Sequence, residues 1–148
     1  MTSANAILSS ATNATIFCVF APRGSMLGTL FDQAGSYCSL ESSGSLNAFF
    51  YVHNTGGAAA TGPAVVNTFE IRTLVADGTH LTNRRNAVAG TPASYSGDTG
   101  VSGFSLGSGG AGGSRTDVAE LIVFNTDLSS GDIDLVEAYL AEKYGIAI

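Results

Sequence analysis

Tryptophan is absent from this chain, lysine occurs once, at Lys143, and there are two cysteines, two histidines and three prolines. Charged residues make up only 12% of the 148 positions, too few for long solvated helices. Six bases stand against twelve acids, giving a formal net charge of −6. A nucleic-acid binder needs a basic footprint to displace counterions from phosphates. The one basic cluster, Arg84-Arg85, reads as a pair of solvated charges at a strand end, so nucleic acid is not an expected partner. The acidity also argues against docking on an anionic membrane, and no run approaches the roughly 20 apolar residues a membrane span needs. The opening MTSANAILSSATNATIF lacks a basic segment followed by an apolar one and does not read as a secretory signal. There is no CxxC and no Cys/His cluster, the usual signatures of a zinc site. Cys18 in TIFCVF and Cys38 in SYCSLES lie inside apolar strand patterns, where a thiol acts as a small hydrophobe. Free, buried thiols are therefore expected, with a bond between neighbouring strands left open.

What the chain has instead is glycine, 19 of them, among many Ala, Ser and Thr. That composition suits short strands and turns. Ala14 to Phe20 is apolar on both alternating faces, as in a strand buried on both sides. GTLFDQ and SYCSLES form a hairpin pattern around Ala34-Gly35, and LNAFFYVH follows. The Gly/Ala stretch NTGGAAATGPAVVN reads as a loop. From Thr68 to Asp77, Phe69, Ile71 and Val75 alternate with Glu70, Arg72 and Leu74. Asp77-Gly78 is a strong hairpin signal, because glycine supplies the positive φ such turns need, and THLTNRR returns from it. VSGFSLGS, the run GGAGGS and the strand Asp117–Asn125 complete the β pattern. Eight or nine short strands at this spacing predict an all-β sandwich or jelly roll. At 148 residues the chain reads as one domain over residues 1–148, with an arm at 1–10.

The only helical signal is the last one, at 129–145. Ser129 or Ser130 caps it, Asp132 and Asp134 place negative charge in its first turn, and Gly145 stops it. Ile133, Val136, Leu140 and Tyr144, with Tyr139 beside them, make one apolar stripe. A lone helix after a sandwich is expected to lie over exposed apolar sheet or an open end.

DGTHLTNRRNAV, followed by FSLGSGGAGGSRTDVAELIVFNTDLSSGDIDLVEAYLAEKYGI, resembles the laminin-G-like, concanavalin-A-like jelly-roll domains common in bacterial surface proteins and in phages. ATIFCVFAPRGSMLGTLFDQAG is similar to the early strands of the same family, so the resemblance covers about residues 10–146. It implies a jelly-roll β-sandwich with one C-terminal α-helix. Family members carry a further N-terminal strand beside the last one, and few residues precede ATIF here. An edge at Thr116–Asn125 is therefore expected, covered by a neighbouring subunit or partner.

Catalysis is not expected. GDIDLVE places Asp132, Asp134 and Glu137 at a spacing that mimics the paired carboxylates of glucanases. At a helix start, however, Asp132 and Asp134 point about 200° apart, and helix capping explains them. No nucleophile elbow, P-loop, HExxH or dinucleotide fingerprint appears, and His53 and His80 stand alone. The Asn13-Ala14-Thr15 acceptor pattern reads as a strand start. Lectin-like relatives bind Ca²⁺ or sugars at loops, through carboxylates and carbonyls. Asp32 and Asp98 are the candidate metal ligands; Asn54, Tyr51 and Tyr95, with Tyr37, are the candidates for a sugar.

Two functions of different class follow. The first is a structural protein acting through protein contacts, which the resemblance links to a phage virion component: a capsid decoration (cement) protein, or a tail or fibre subunit. Its partners would be copies of itself or a capsid or tail protein, and its place the virion. The contact segments would be the arm Met1 to Ser10 and the loops Gly56–Pro63 and Gly107–Arg115. The mean hydropathy of +0.25 is high for a small domain and agrees with a covered surface. The alternative is a carbohydrate-binding module, Ca²⁺-dependent or not, acting at a bacterial cell surface or outside the cell.

Overall fold

A computed structural model describes residues 13–24, 64–95 and 116–148 in full, and the backbone of the strands at 2–3, 27–32, 38–43, 47–52, 57–63 and 104–106. Its elements are β1 (Thr2–Ser3), β2 (Asn13–Pro22), β3 (Leu27–Asp32), β4 (Cys38–Ser43), β5 (Asn47–Val52), β6 (Gly57–Pro63), β7 (Glu70–Asp77), β8 (His80–Arg85), β9 (Val88–Ala89), β10 (Ala93–Ser94), β11 (Phe104–Leu106), β12 (Thr116–Phe124) and α1 (Ser130–Tyr144). One antiparallel sheet runs β1-β11-β3-β4-β5-β6. The other runs β10-β8-β7-β2-β12, with β9 on β8. The architecture is the expected one, a jelly-roll sandwich of two sheets with a single C-terminal helix.

β2 is the central element. Its residues from Ala14 to Ala21 are buried at 0–1% exposure, which is why both faces of the segment are apolar. On one face Phe17 and Val19, with Ile71 of β7, pack against Ile133, Leu140 and Ala141 of α1. Successive strand residues point to opposite faces, so Ala14, Ile16, Cys18 and Phe20 face the interior between the sheets, beside Leu74 and Ala76 of β7. The helix thus covers the outer face of the β2-containing sheet. The sequence left that face and an open end as alternatives, and packing selects the face. A 15-residue helix is marginal alone; each of the fully buried Ile133 and Leu140 side chains contributes about 2 kcal/mol here.

The helix boundaries follow the sequence signals. Ser129 has extended backbone and accepts a hydrogen bond from the Asp132 N–H, and Gly145 sits in the left-handed region at φ 65°. The Asp77-Gly78 hairpin also forms. Gly78 has φ 93°, and a Cβ there would lie 3.0 Å from Asn13 Oδ1. The Asp77 carboxylate accepts from the N–H groups of Thr79 and His80.

Two expectations change, and a third, the edge strand, is found. The Gly/Ala stretch read as a loop contains β6, whose Ala58, Ala59 and Ala60 pair with Tyr51, Phe50 and Phe49 of β5. Alanine is a poor strand former in isolation, but strand preference is largely set by the neighbouring strand and its packing. Pro63 is tolerated because β6 ends its sheet. The N-terminal arm is partly built in, since Thr2 and Ser3 pair with Ser105 and Phe104. Lastly, β12 ends its sheet, hydrogen-bonded to β2 alone among the described strands, and its own chain blunts it. A register shift between Val118 and Glu120 interrupts the ladder, and Tyr144 Oη lies 3.4 Å from the Ala119 carbonyl. Bulges and charges guard edges of this kind, and the edge stands where the sequence placed it, at Thr116–Phe124.

Candidate functional site

The charged residues fall into clusters that local sequence could not pair. Glu137, fully buried on the apolar face of α1, accepts from Thr73 Oγ1 at 2.6 Å and from Arg84 Nη2 at 2.7 Å. Arg84 also reaches Asp134 at 2.6 Å and the Ala87 carbonyl at 3.1 Å. Its guanidinium is held more firmly charged than usual, chiefly through the Glu137 hydrogen bonds. Asp132 accepts from the Ser129 hydroxyl at 2.6 Å. The three carboxylates that mimic a glucanase pattern are therefore one cap partner and two ligands of an arginine. Inside the sandwich, Glu70 accepts from Arg72 Nε at 2.6 Å and from Arg85 at 3.0 Å. Burial works against the Arg72 charge, and Glu70 offsets it. Arg84 and Arg85 are thus ion-paired on opposite faces of β8. The reading of them as solvated charges is corrected: sequence shows the bases, and only strand pairing and the helix supply their acids.

Of the candidate ligand residues, Tyr95 is 6% exposed, and its hydroxyl accepts from the Gly78 N–H at 3.1 Å. A ring so placed braces the 77–80 turn and offers no face to a sugar, contrary to the expectation for Tyr95. Tyr51 lies on β5 opposite Ser39 and Ala58, and Asp32 ends β3 opposite Ser105; β4 separates their strands. Asn54, Asp98, Tyr37 and His53, and the loop Gly107–Arg115, lie outside the described residues. Among the described residues no three His, Cys, Asp or Glu side chains group as a metal site would require. His80 is exposed at the start of β8, 2.8 Å from Thr79 Oγ1. Thr15 is buried, donating to the Thr126 carbonyl and accepting from the Leu128 N–H, so the Asn13 acceptor pattern is a strand start. Cys18 is a free, fully buried thiol. Burial first, and then Glu70, push its ionisation far upward.

One arrangement at the surface was not singled out in the sequence. Tyr139, Glu142 and Lys143 of α1 line an open cavity of about 430 Å³. Lys143 Nζ donates to Tyr139 Oη at 3.0 Å and to Glu120 at 2.9 Å, across from β12. It lies 5.2 Å from the Tyr139 ring centroid and 5.4 Å from that of Tyr144. Tyr144 Oη in turn bonds Glu120 at 2.9 Å. These contacts hold the lysine charged, first through Tyr139 and then Glu120, and hold Glu120 ionised through Lys143. Tyr139 remains 51% exposed and Leu135, one turn earlier, 71%. Their spacing of three and four residues was the available signal, but it reads equally as the flank of the packing stripe.

No family model and no curated protein matches the chain. Solved structures match it in shape. Domain 4 of AbnA, an extracellular GH43 arabinanase from Geobacillus stearothermophilus solved with arabinotriose, superposes with a TM-score of 0.68 at 12% identity, over 88% of this chain and 68% of that one. The heptameric SAP-like pentraxin from Limulus polyphemus gives 0.64 at 12% identity, over 88% and 71%. The receptor-binding domain of the botulinum neurotoxin C/D mosaic serotype gives 0.67 at 10% identity, over 87% of this chain. This chain spans only 36% of that toxin domain. At such identities the likeness is one of fold.

Proposed function

We propose that the chain is a non-catalytic binding module that recognises carbohydrate, as a lectin does. The observation carrying this reading is the match, over 88% of the chain, to an arabinanase domain solved with arabinotriose. The charge clusters agree with it: Asp132, Asp134, Glu137 and Glu70 are all engaged in capping or in ion pairs. A carboxylate held between a threonine and an arginine is poorly placed to exchange protons with a substrate.

The expectation of a virion component acting through protein contacts rests on the sequence resemblance alone. None of the three structures above is named for a capsid or tail, and carbohydrate recognition is the better supported of the two readings. The test is retention on immobilised neutral and acidic oligosaccharides, with Ca²⁺ and with EDTA, alongside native mass. Saturable retention supports the lectin reading, and loss in EDTA adds Ca²⁺ to it. A discrete oligomer with no retention on any glycan overturns it in favour of assembly.

A further inference from the structure

We propose that the cavity lined by Tyr139, Glu142 and Lys143, with Glu120 and Tyr144 fixing the lysine, is a subsite for a neutral saccharide. The inference deepens the carbohydrate-binding reading and rests on it. Leu135, Tyr139, Glu142 and Lys143 share one helical face, being three or four residues apart. A large aromatic ring that is half exposed yet pinned at its hydroxyl is presented to solvent at little further cost in rotamer freedom. Such a ring, with Leu135 beside it, is an apolar platform for the C–H face of a pyranose or furanose.

The polar groups around the ring match hydroxyls. An ammonium has three N–H donors; Lys143 directs one to Glu120 and one to Tyr139, which leaves the third for a ligand oxygen. The Tyr139 hydroxyl accepts from Lys143, so its own proton is free to donate. The Glu142 carboxylate on the cavity wall is exposed and accepts. One ring face, two donors and a carboxylate acceptor border this open cavity of about 430 Å³, a shallow platform that would contact one face of a sugar. Charge narrows the ligand class. Glu120 already neutralises Lys143, and Glu142 leaves the cluster with one negative charge in excess, so phosphorylated, sulfated and sialylated ligands are repelled.

The test uses the whole chain, with amide chemical shifts followed by NMR while neutral oligosaccharides (arabino-, gluco-, galacto- and manno-oligosaccharides) and sialyllactose are titrated in. A neutral oligosaccharide should move the amides of residues 135–144, and sialyllactose should not. Tyr139→Ala should weaken that affinity about tenfold and Tyr139→Phe much less, with both variants keeping the parent's melting temperature, since residue 139 lies outside the core. A neutral sugar that binds but moves amides elsewhere, or binds Tyr139→Ala equally well, overturns the subsite and leaves the lectin reading intact. Binding of sialyllactose alone at these residues overturns the neutral-sugar assignment. No binding by any sugar overturns both, and an oligomer that Tyr139→Ala dissociates would then mark this face as a protein contact.

Discussion

Glu137→Ala is expected to destabilise the protein by about 3 kcal/mol, the low end of the range for breaking a buried ion pair from one side. Glu137 is fully buried and Arg84 14% exposed at its side chain. Removing the carboxylate strands two groups. The buried Thr73 hydroxyl loses its acceptor, and Arg84 loses the partner that takes both its Nε and Nη2. Arg84 keeps the Ala87 carbonyl and Asp134, and Asp134 is 64% exposed, so the cost falls short of the full penalty. For a domain of this size, about 3 kcal/mol corresponds to a fall of roughly 6–12 °C in Tm. Urea unfolding followed by far-ultraviolet circular dichroism at pH 7 measures it. The decisive control removes all three polar groups, as Thr73→Val, Arg84→Met and Glu137→Leu together. If the single variant suffers from stranded polar groups, the triple variant should recover most of the loss, because apolar replacements of similar size leave no buried side chain of the cluster unpaired, and Asp134 is solvated. A single variant costing under about 1 kcal/mol, or a triple variant as unstable as the single, would refute the reasoning.

Three further outcomes are expected. Cys18 should resist iodoacetamide at pH 8 in the native protein and react once it is unfolded, since it is fully buried and its ionisation is pushed far upward by burial; peptide mapping after native labelling checks it, and rapid modification at Cys18 would contradict the packing of β2. Ala87→Gly should raise Tm by about 2 °C, because Asn86 and Ala87 form a two-residue turn with φ of 46° and 65°, a backbone better suited to glycine; an unchanged or lower Tm counts against strain there. The Asp77 carboxyl is held below its ordinary value by the backbone N–H groups of His80 and Thr79. A depressed native value contributes stability that is complete above the unfolded carboxyl's range, about pH 4, and is lost as pH falls through the native one. The stability gap between the parent and Asp77→Asn should accordingly narrow as pH drops below about 4; a gap constant from pH 6 to pH 2.5 would exclude this role.

Much of the fold was legible because its signals are local. Ser129 caps the helix and Gly145 ends it through contacts within one turn, and the Asp77-Gly78 turn needs no distant partner. Ala14 to Phe20 announced a central strand through two apolar faces. β6 was not legible, because alanines become a strand only opposite Phe49–Tyr51. Nor was the role of Tyr95 legible: it is an aromatic in a polar stretch, and only the approach of Gly78 reveals it as a buried brace.

The sequence by itself determined the strand-rich class, the position and ends of the helix, and the central place of β2, since periodicity, caps and turn chemistry act within a few residues. Tertiary structure alone decided which charges are partners. Arg84 and Arg85 are adjacent in the chain, yet strand alternation sends one to the helix and Glu137, and the other inward to Glu70. It also decided that Lys143, Tyr139 and Glu120 meet around an exposed ring. Glu120 and Lys143 are 23 residues apart in the chain, and the helix must first dock on β2 and β7 before the lysine can reach the carboxylate on β12. Ion pairs and cavity walls form between elements, so the information that fixes them lies in the docking of those elements and not in either one alone.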